Sequence, residues 1–298
     1  MEGLKGIERS ELFLFLPLHF LKLFISILFG KYDVVFIQRY VFTAALPVEI
    51  FFRIFHRKKI IIDFDDLIYL NHPKFYSVVL KSVHKVIVGN SFLAQFARQY
   101  NPDVSIIPTP VETGQYHPVK LEEKKTFTLG WIGGPSGLYL LEPLYSSFQK
   151  LAGKIDYHLV IVSDFNRGTK LSIRGVNVIN RQWSEETELT DLNSFDVGLM
   201  PLLKNDYISK GKCSYKALQY MAVGIPALIY AEGNNLEIVK DGIDGFLYET
   251  EDEFITKVLS LYNNGIFSQE MGRQAKDKIE KEYATSTVFR DLFKVVSQ

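Results

Sequence analysis

The chain alternates short, continuous apolar runs rich in Val and Ile with longer stretches of helical periodicity, and this alternation leaves few folds open. Runs at 34–38, 59–62, 86–88 and 104–107 form one set; runs at 127–132, 158–162, 176–179, 197–200 and 225–230 form a second. An apolar run without polar alternation suits a strand buried on both faces, as in a parallel sheet covered by helices. Strand–helix–strand connections are right-handed, so each set predicts a doubly wound α/β domain. Residues 114–125 carry Gly114, Pro118 and a mixed-charge run without periodicity, and read as a linker. The expected division is 1–118, 119–283 and a last helical piece, 284–298, of open placement. Polar, periodic segments at 251–264, 269–283 and 286–296 predict terminal helices. Two such domains create a cleft at the strand carboxyl ends, where ligands bind in sheets of this kind.

Composition narrows the function. The 34 basic and 34 acidic residues cancel, so no global field draws the protein to nucleic acid. The single cysteine, Cys213, excludes an internal disulfide framework and any site of several cysteine ligands, and fits a reducing cytosol. His19, His56, His84, His117 and His158 show no metal-ligand spacing. The N-terminus lacks the pattern of a secretory signal, with Glu2, Glu8 and Glu11 where a basic region is expected. Residues 12–29 are about the minimum length to span a bilayer, but Pro17, His19 and Lys22 interrupt them. A buried or interfacial helix is the better reading. With Lys31 and the basic cluster at 53–59, it points to peripheral membrane contact on the cytoplasmic face.

Three segments carry candidate chemistry. In LGWIGGPSG at 129–137, a strand runs into a glycine-rich turn and a helix starting near Ser136. Gly133, Gly134 and Ser136 would offer backbone amides and a helix N-terminus to a diphosphate. The same glycines also serve a tight turn with no ligand. In GKCSYKALQYMAVGIP at 211–226, Lys212, Lys216 and Gln219 are four and three residues apart and share one helix face. The ammonium groups suit a diphosphate; a solvated basic edge is the alternative. In Asp63-Phe64-Asp65-Asp66, carboxylates close a buried strand, where they are solvated, paired, capping a following helix, or functional. Asn90-Ser91 ahead of FLAQFAR reads as a helix N-cap.

At 211–226 the sequence resembles the donor-binding signature of the GT-B glycosyltransferases, in particular the retaining family 4 group (glycosyl transferases group 1). Agreeing pieces follow in order: IDFDDLIY at 62–69, VGNS at 88–91, IPTPV at 107–111, FDVGLMPL at 195–202, GNNLEIV at 233–239 and DGIDGFL at 241–247. The resemblance runs from about Tyr32 to about Tyr283. It implies two Rossmann-like domains and sugar transfer from a nucleoside-diphosphate sugar, used as co-substrate without a metal or other cofactor, to a glycan or lipid-linked acceptor. It implies retention, Lys216 and Lys212 on the diphosphate, the loop Arg181-Gln182-Trp183-Ser184 on the base, and Asp65 or Asp66 orienting the acceptor hydroxyl. Asp63-x-Asp65 also matches the metal-binding pattern of GT-A enzymes, but the ordered donor-site series favours GT-B. The family's Glu-x7-Glu motif falls on Gly211 and Gln219, so neither position is acidic here; Gln219 is left to meet the ribose. Only 1–30 precede the segment matching 32–38, so the first βα unit of the acceptor domain is expected to be missing. A non-catalytic sugar-nucleotide-binding protein of the same fold, and a sugar-nucleotide epimerase, are the alternatives. No convincing acid/base pair supports the epimerase.

Overall fold

The computed structural model describes residues 22, 25–27, 29–39, 58–119 and 126–297. The expectations for 12–29 and for the basic cluster at 53–59 fall largely outside the described residues, as do 120–125 of the expected linker. The chain divides into two compact units: 1–64, 68–87 and 96–105 form one, and 65–67, 88–95 and 106–298 form the other. Among the described residues, no helix is long and apolar enough to cross a membrane.

The first sheet has the order β1-β2-β3-β4, from β1 (Val34–Gln38), β2 (Lys59–Phe64), β3 (Lys85–Val88) and β4 (Val104–Ile106), with β1 and β2 parallel. Ile60, Ile61, Val86 and Ile87 are buried along it, as continuous apolar strands require. Helix α1 (Pro73–Ser82) starts with proline in its first turn, where the missing N–H costs nothing. Asn101 ties its end down by donating to the carbonyls of Leu80 and Val83 at 2.8 and 2.9 Å. Helix α2 (Ser91–Ala97) has the predicted cap: the Leu93 amide donates to Asn90 Oδ1 at 2.9 Å.

The second sheet has the order β10-β9-β8-β5-β6-β7, with every pair parallel. Its strands are β5 (Phe127–Ile132), β6 (Tyr157–Ser163), β7 (Val178–Gln182), β8 (Val197–Met200), β9 (Ala227–Tyr230) and β10 (Phe246–Tyr248). The order reverses between β5 and β8, which makes the carboxyl ends of those strands the topological switch point. Strand β10 escapes periodicity because three residues are too few to show a pattern. Its pairing with Leu228–Tyr230 defines it.

The helix expected near Ser136 begins as a 3-10 helix (Pro135–Leu144), and α3 (Tyr145–Ala152) follows it. Pro143 lies inside that stretch and cannot donate an α-helical bond. The remaining α-helices are α4 (Glu185–Asn193), α5 (Tyr207–Gly211), α6 (Tyr215–Ala222), α7 (Asn235–Ile238), α8 (Glu251–Asn263), α9 (Gly265–Lys278) and α10 (Thr285–Ser297), with a π-helical turn (Ile279–Tyr283) between the last two. Helix α8 opens with a complete capping box between Thr250 and Glu253. Residues 114–119 are not loose. Tyr116 is buried, and Asn193 both accepts from the Val119 amide and donates to the His117 carbonyl. Helix α10 joins the second unit through Val111, whose N–H and C=O pair with Tyr283 and Thr285.

Candidate functional site

The switch point is built on two glycines. Gly130 of β5 and Gly198 of β8 face each other in register, and beyond them the strands part. A Cβ on Gly130 would stand 2.0 Å from the Phe195 ring, and one on Gly198 would stand 2.2 Å from the Tyr220 ring. The two rings pack edge to face, 6.3 Å apart. Tyr220 then closes the gap between the strands: the Ile132 amide donates to its hydroxyl at 3.2 Å, and the hydroxyl donates to the Leu199 carbonyl at 3.1 Å. This pins α6 over the parting strands. Lys216, one helical turn earlier on the same face, is thereby set at the mouth of the switch point.

Lys216 lies across the glycine turn. A Cβ on Gly133 would come within 2.5 Å of its Cε, and its Nζ stands 5.5 Å from the centre of the Trp131 ring. Among the described residues neither Lys216 nor Lys212 has an ion-pair partner. Burial first, and Lys212 second, lower the Lys216 ammonium to about 8. Lys216 also sits in the first turn of α6, where the helix dipole disfavours a cation. Lys216 in the first turn of α6 and Lys212 just ahead of it, beside a glycine turn and in no ion pair among the described residues, form a site that an anion completes, with Asp206 within electrostatic reach of Lys212.

The turn supplies fewer amides than the sequence promised. The Gly133 N–H is committed to the Val162 carbonyl at 3.0 Å, and that of Gly137 to the Gly134 carbonyl at 2.9 Å. Gly134 and Ser136 remain as donors. Gly133 is required because Lys216 and Trp131 occupy the space that its side chain would fill.

The other expected residues divide. Trp183 follows β7, is anchored by its N–H to the Ser163 carbonyl at 2.9 Å, and is 40% exposed, available as a flat apolar platform. Arg181 turns inward instead. Its guanidinium bonds Asp191 Oδ1 and Ser194 Oγ, both at 2.8 Å, and so braces α4. Gln219 is only 5% exposed and donates to Glu188 Oε1 at 2.7 Å, so its amide is committed within the fold rather than offered to a ribose. Asp66 is exposed and accepts from the following Leu67 amide at 2.8 Å. Neither Asp65 nor Asp66 caps a helix: α1 starts at Pro73 with His72 as its N-cap residue.

The turn leading into α6 is held from several directions. Asn90 Nδ2 donates to the carbonyls of Gly211 and Lys212 at 3.2 and 3.4 Å. The Cys213 thiol donates to the Asp65 carbonyl at 3.0 Å, and burial first pushes it up to about 12, so it stays a neutral, unreactive group. Ser214 adopts φ 58°, unusual for a residue with a side chain, and its hydroxyl hydrogen-bonds Asn235 Oδ1 at 2.6 Å. Gly211 faces Leu67, whose Cγ would lie 2.4 Å from an added Cβ. The space for a glutamate at 211 is thus already filled. Gly211→Glu is expected to lower stability by about 1–3 kcal/mol through overpacking, read as a lower midpoint in urea, without improved sugar-nucleotide binding.

Sequence reasoning missed Tyr220 and Glu188. Tyr220 reads as one more core aromatic, because only the tertiary fold shows that the strands part beneath it. Glu188 sits in a polar helical run that suggests a solvated face.

The fold is the one described as GT-B, two Rossmann-like parallel-sheet units in one chain. Residues 129–264 match the family described as Glycosyl transferases group 1. A glycosyltransferase from Rickettsia africae ESF-5 superposes with a TM-score of 0.71 at 12% identity, covering 98% of this chain and 83% of that one. Sucrose-phosphate synthase from Thermosynechococcus elongatus gives 0.66 at 13% identity, covering 97% and 80%. HepE from Anabaena, in complex with UDP and glucose, gives 0.65 at 12% identity, covering 93% and 80%. No curated protein matches the sequence significantly. The resemblance read from the ordered motifs is borne out in fold along the chain and in family over 129–264.

Proposed function

We propose that the protein transfers a sugar from a nucleoside-diphosphate sugar to an acceptor hydroxyl, with the donor held at the switch point of the second sheet. The observation that carries this reading is the pair Lys216, in the first turn of α6, and Lys212, just ahead of it, two cations beside the glycine turn with no ion-pair partner among the described residues. A diphosphate leaving group develops negative charge as the glycosidic bond breaks. Lys216, Lys212 and the Gly134 and Ser136 amides would stabilise that charge in a half-buried setting where electrostatics are strong. In this reading the lysines and amides, rather than a bound cation, meet the diphosphate, and Trp183 offers a face to the base. The HepE neighbour, solved with UDP and glucose, supports a nucleotide sugar as ligand class. We further assign Asp65 and Asp66 to orienting the acceptor, a glycan or lipid-linked hydroxyl on the cytoplasmic side of the membrane, with retention at the transferred carbon.

A thermal-shift screen against UDP-, GDP-, ADP- and dTDP-sugars tests the proposal. One donor should raise Tm by several degrees at about 100 times its Kd, as mass action requires, and NMR should show slow release of the nucleoside diphosphate. No shift with any donor would overturn the reading. A second reading, donor binding without turnover, is favoured by one observation: the first acidic position of the family motif is a glycine closed off by Leu67. Stabilisation without any product in the same samples would select it.

A further inference from the structure

We propose that Glu188 is the group that recognises the ribose of the donor, taking the place of the carboxylate absent at position 219. This rests on the donor reading above. Glu188 is a carboxylate only 9% exposed, and among the described residues no cation pairs with it. A carboxylate so withdrawn from water is costly unless it is hydrogen-bonded or used. Its Oε1 accepts from Gln219 Nε2 at 2.7 Å and from the Tyr116 hydroxyl at 3.2 Å. Burial first, then Tyr215 and Glu188 nearby, push the Tyr116 phenol upward, so it stays protonated and able to donate. Oε2 takes no hydrogen bond from any described residue. It is also absent from the sealed, unbonded atoms, which are the hydroxyls of Thr109 and Ser163. One oxygen is therefore locked by protein donors, while the other keeps its lone pairs and access to solvent.

The position fits a ribose. Glu188 lies five residues after Trp183, in the helix that the Trp183 loop leads into. Through Gln219 it touches α6 one turn beyond Lys216. A nucleoside diphosphate runs base, ribose, diphosphate; with the base on Trp183 and the diphosphate at Lys216, the ribose falls between them, beside Glu188. A carboxylate fixed through Oε1 by two protein donors presents a preorganised Oε2 to accept from a sugar hydroxyl. The glutamine follows from the same geometry. A glutamate at 219 would set two carboxylates in contact, whereas an amide donates to Glu188.

The test is calorimetry with the nucleoside diphosphate of the donor found by screening and with its 2′-deoxy and 3′-deoxy forms. The proteins compared are the wild type, Glu188→Gln and the exchange Glu188→Gln/Gln219→Glu. The wild type should prefer the ribonucleotide over at least one deoxy form by about tenfold or more, the value of a hydrogen bond to a charged group. Glu188→Gln should bind the forms within about threefold of each other, and the exchange should recover part of the preference by returning a carboxylate to α6. A folded Glu188→Gln with the full preference would overturn the proposal. If that variant does not fold, the exchange, which preserves the hydrogen bond, decides: recovered preference supports the assignment and none overturns it. A wild type that binds both forms equally sinks the ribose assignment alone. A wild type that binds no nucleoside diphosphate sinks the donor reading and this assignment with it.

Discussion

Lys216→Ala is expected to weaken nucleoside-diphosphate binding by about ten- to a hundredfold, the loss of one or two charge-assisted contacts, while barely changing the stability of the unliganded protein. Most structural lysines pair with a carboxylate, but Lys216 has Lys212 as its charged neighbour and Trp131 as its packing surface. Removing its charge relieves repulsion and desolvation in the free protein, and only the lost packing of its stem counts against that. Calorimetry for affinity and a melting curve for stability separate the two effects. Unchanged affinity would remove Lys216 from the site.

The same group gives the site a pH dependence of defined sign. In the free protein Lys216 titrates near 8, and an anion beside it favours the charged form. Binding is therefore strongest below 8 and weakens as pH rises through it, because each binding event must take up a proton. Between pH 7 and pH 9 the affinity should fall by about tenfold, with proton uptake visible as a dependence of heat on buffer. The unliganded fold responds oppositely. A lysine whose folded value lies below its usual 10.5 penalises folding below pH 8, and the penalty fades between 8 and 10.5. Ligand affinity and the Lys216 contribution to stability thus run in opposite directions across that window. A Lys216→Ala variant should lose both trends.

The second large effect is expected at Gly130. In Gly130→Ala the new methyl would meet the Phe195 ring at 2.0 Å, at the ring atom nearest its backbone as well as at the ring edges, so no small rotation clears it. Phe195 is fully buried and packs on Tyr220, whose hydroxyl bridges β5 and β8. The cost should reach about 2–3 kcal/mol, at the upper end of overpacking, and lower Tm by about 5–10 °C for a unit of this size. Nucleotide affinity should fall as well, because displacing Tyr220 moves the helix that carries Lys216. Pairing the change with Phe195→Leu should return part of both losses, a coupling that a double-mutant cycle measures. Additive losses would show that the ring and the glycine do not share this space.

Much of the fold is legible in the sequence for a simple reason. Strands such as LVIV at 159–162 and ALIY at 227–230 are buried on both faces, and that burial writes a continuous apolar run. The boundaries are less legible. Strand β7 lies at 178–182 rather than 176–179, because its residues are half-buried at the sheet edge and polar ones are admitted. The stretch after β5 is 3-10 rather than α-helical, with Pro143 near its end, a distinction that leaves no periodic mark in the sequence.

The candidate site follows the same division. The sequence by itself determined the parallel α/β class, the glycine turn after β5 and the block at 211–226 with its two lysines, since each is written in local spacing. The expected shared helix face holds for Lys216 and Gln219 alone, because Lys212 lies in extended backbone between α5 and α6. Tertiary structure alone decided which of those groups remain open to a ligand. It showed the Gly133 amide bonded to Val162, Arg181 turned to Asp191 and Gln219 bonded to Glu188, while Lys212 and Lys216 stayed out of any ion pair among the described residues. The reason is physical: a motif fixes what a residue can donate or accept, but its partners come from strands and helices distant in sequence. The donor block read first from its lysines is, in three dimensions, a helix pinned by Tyr220, charged by Lys216, and linked through Gln219 to a carboxylate that its own sequence does not contain.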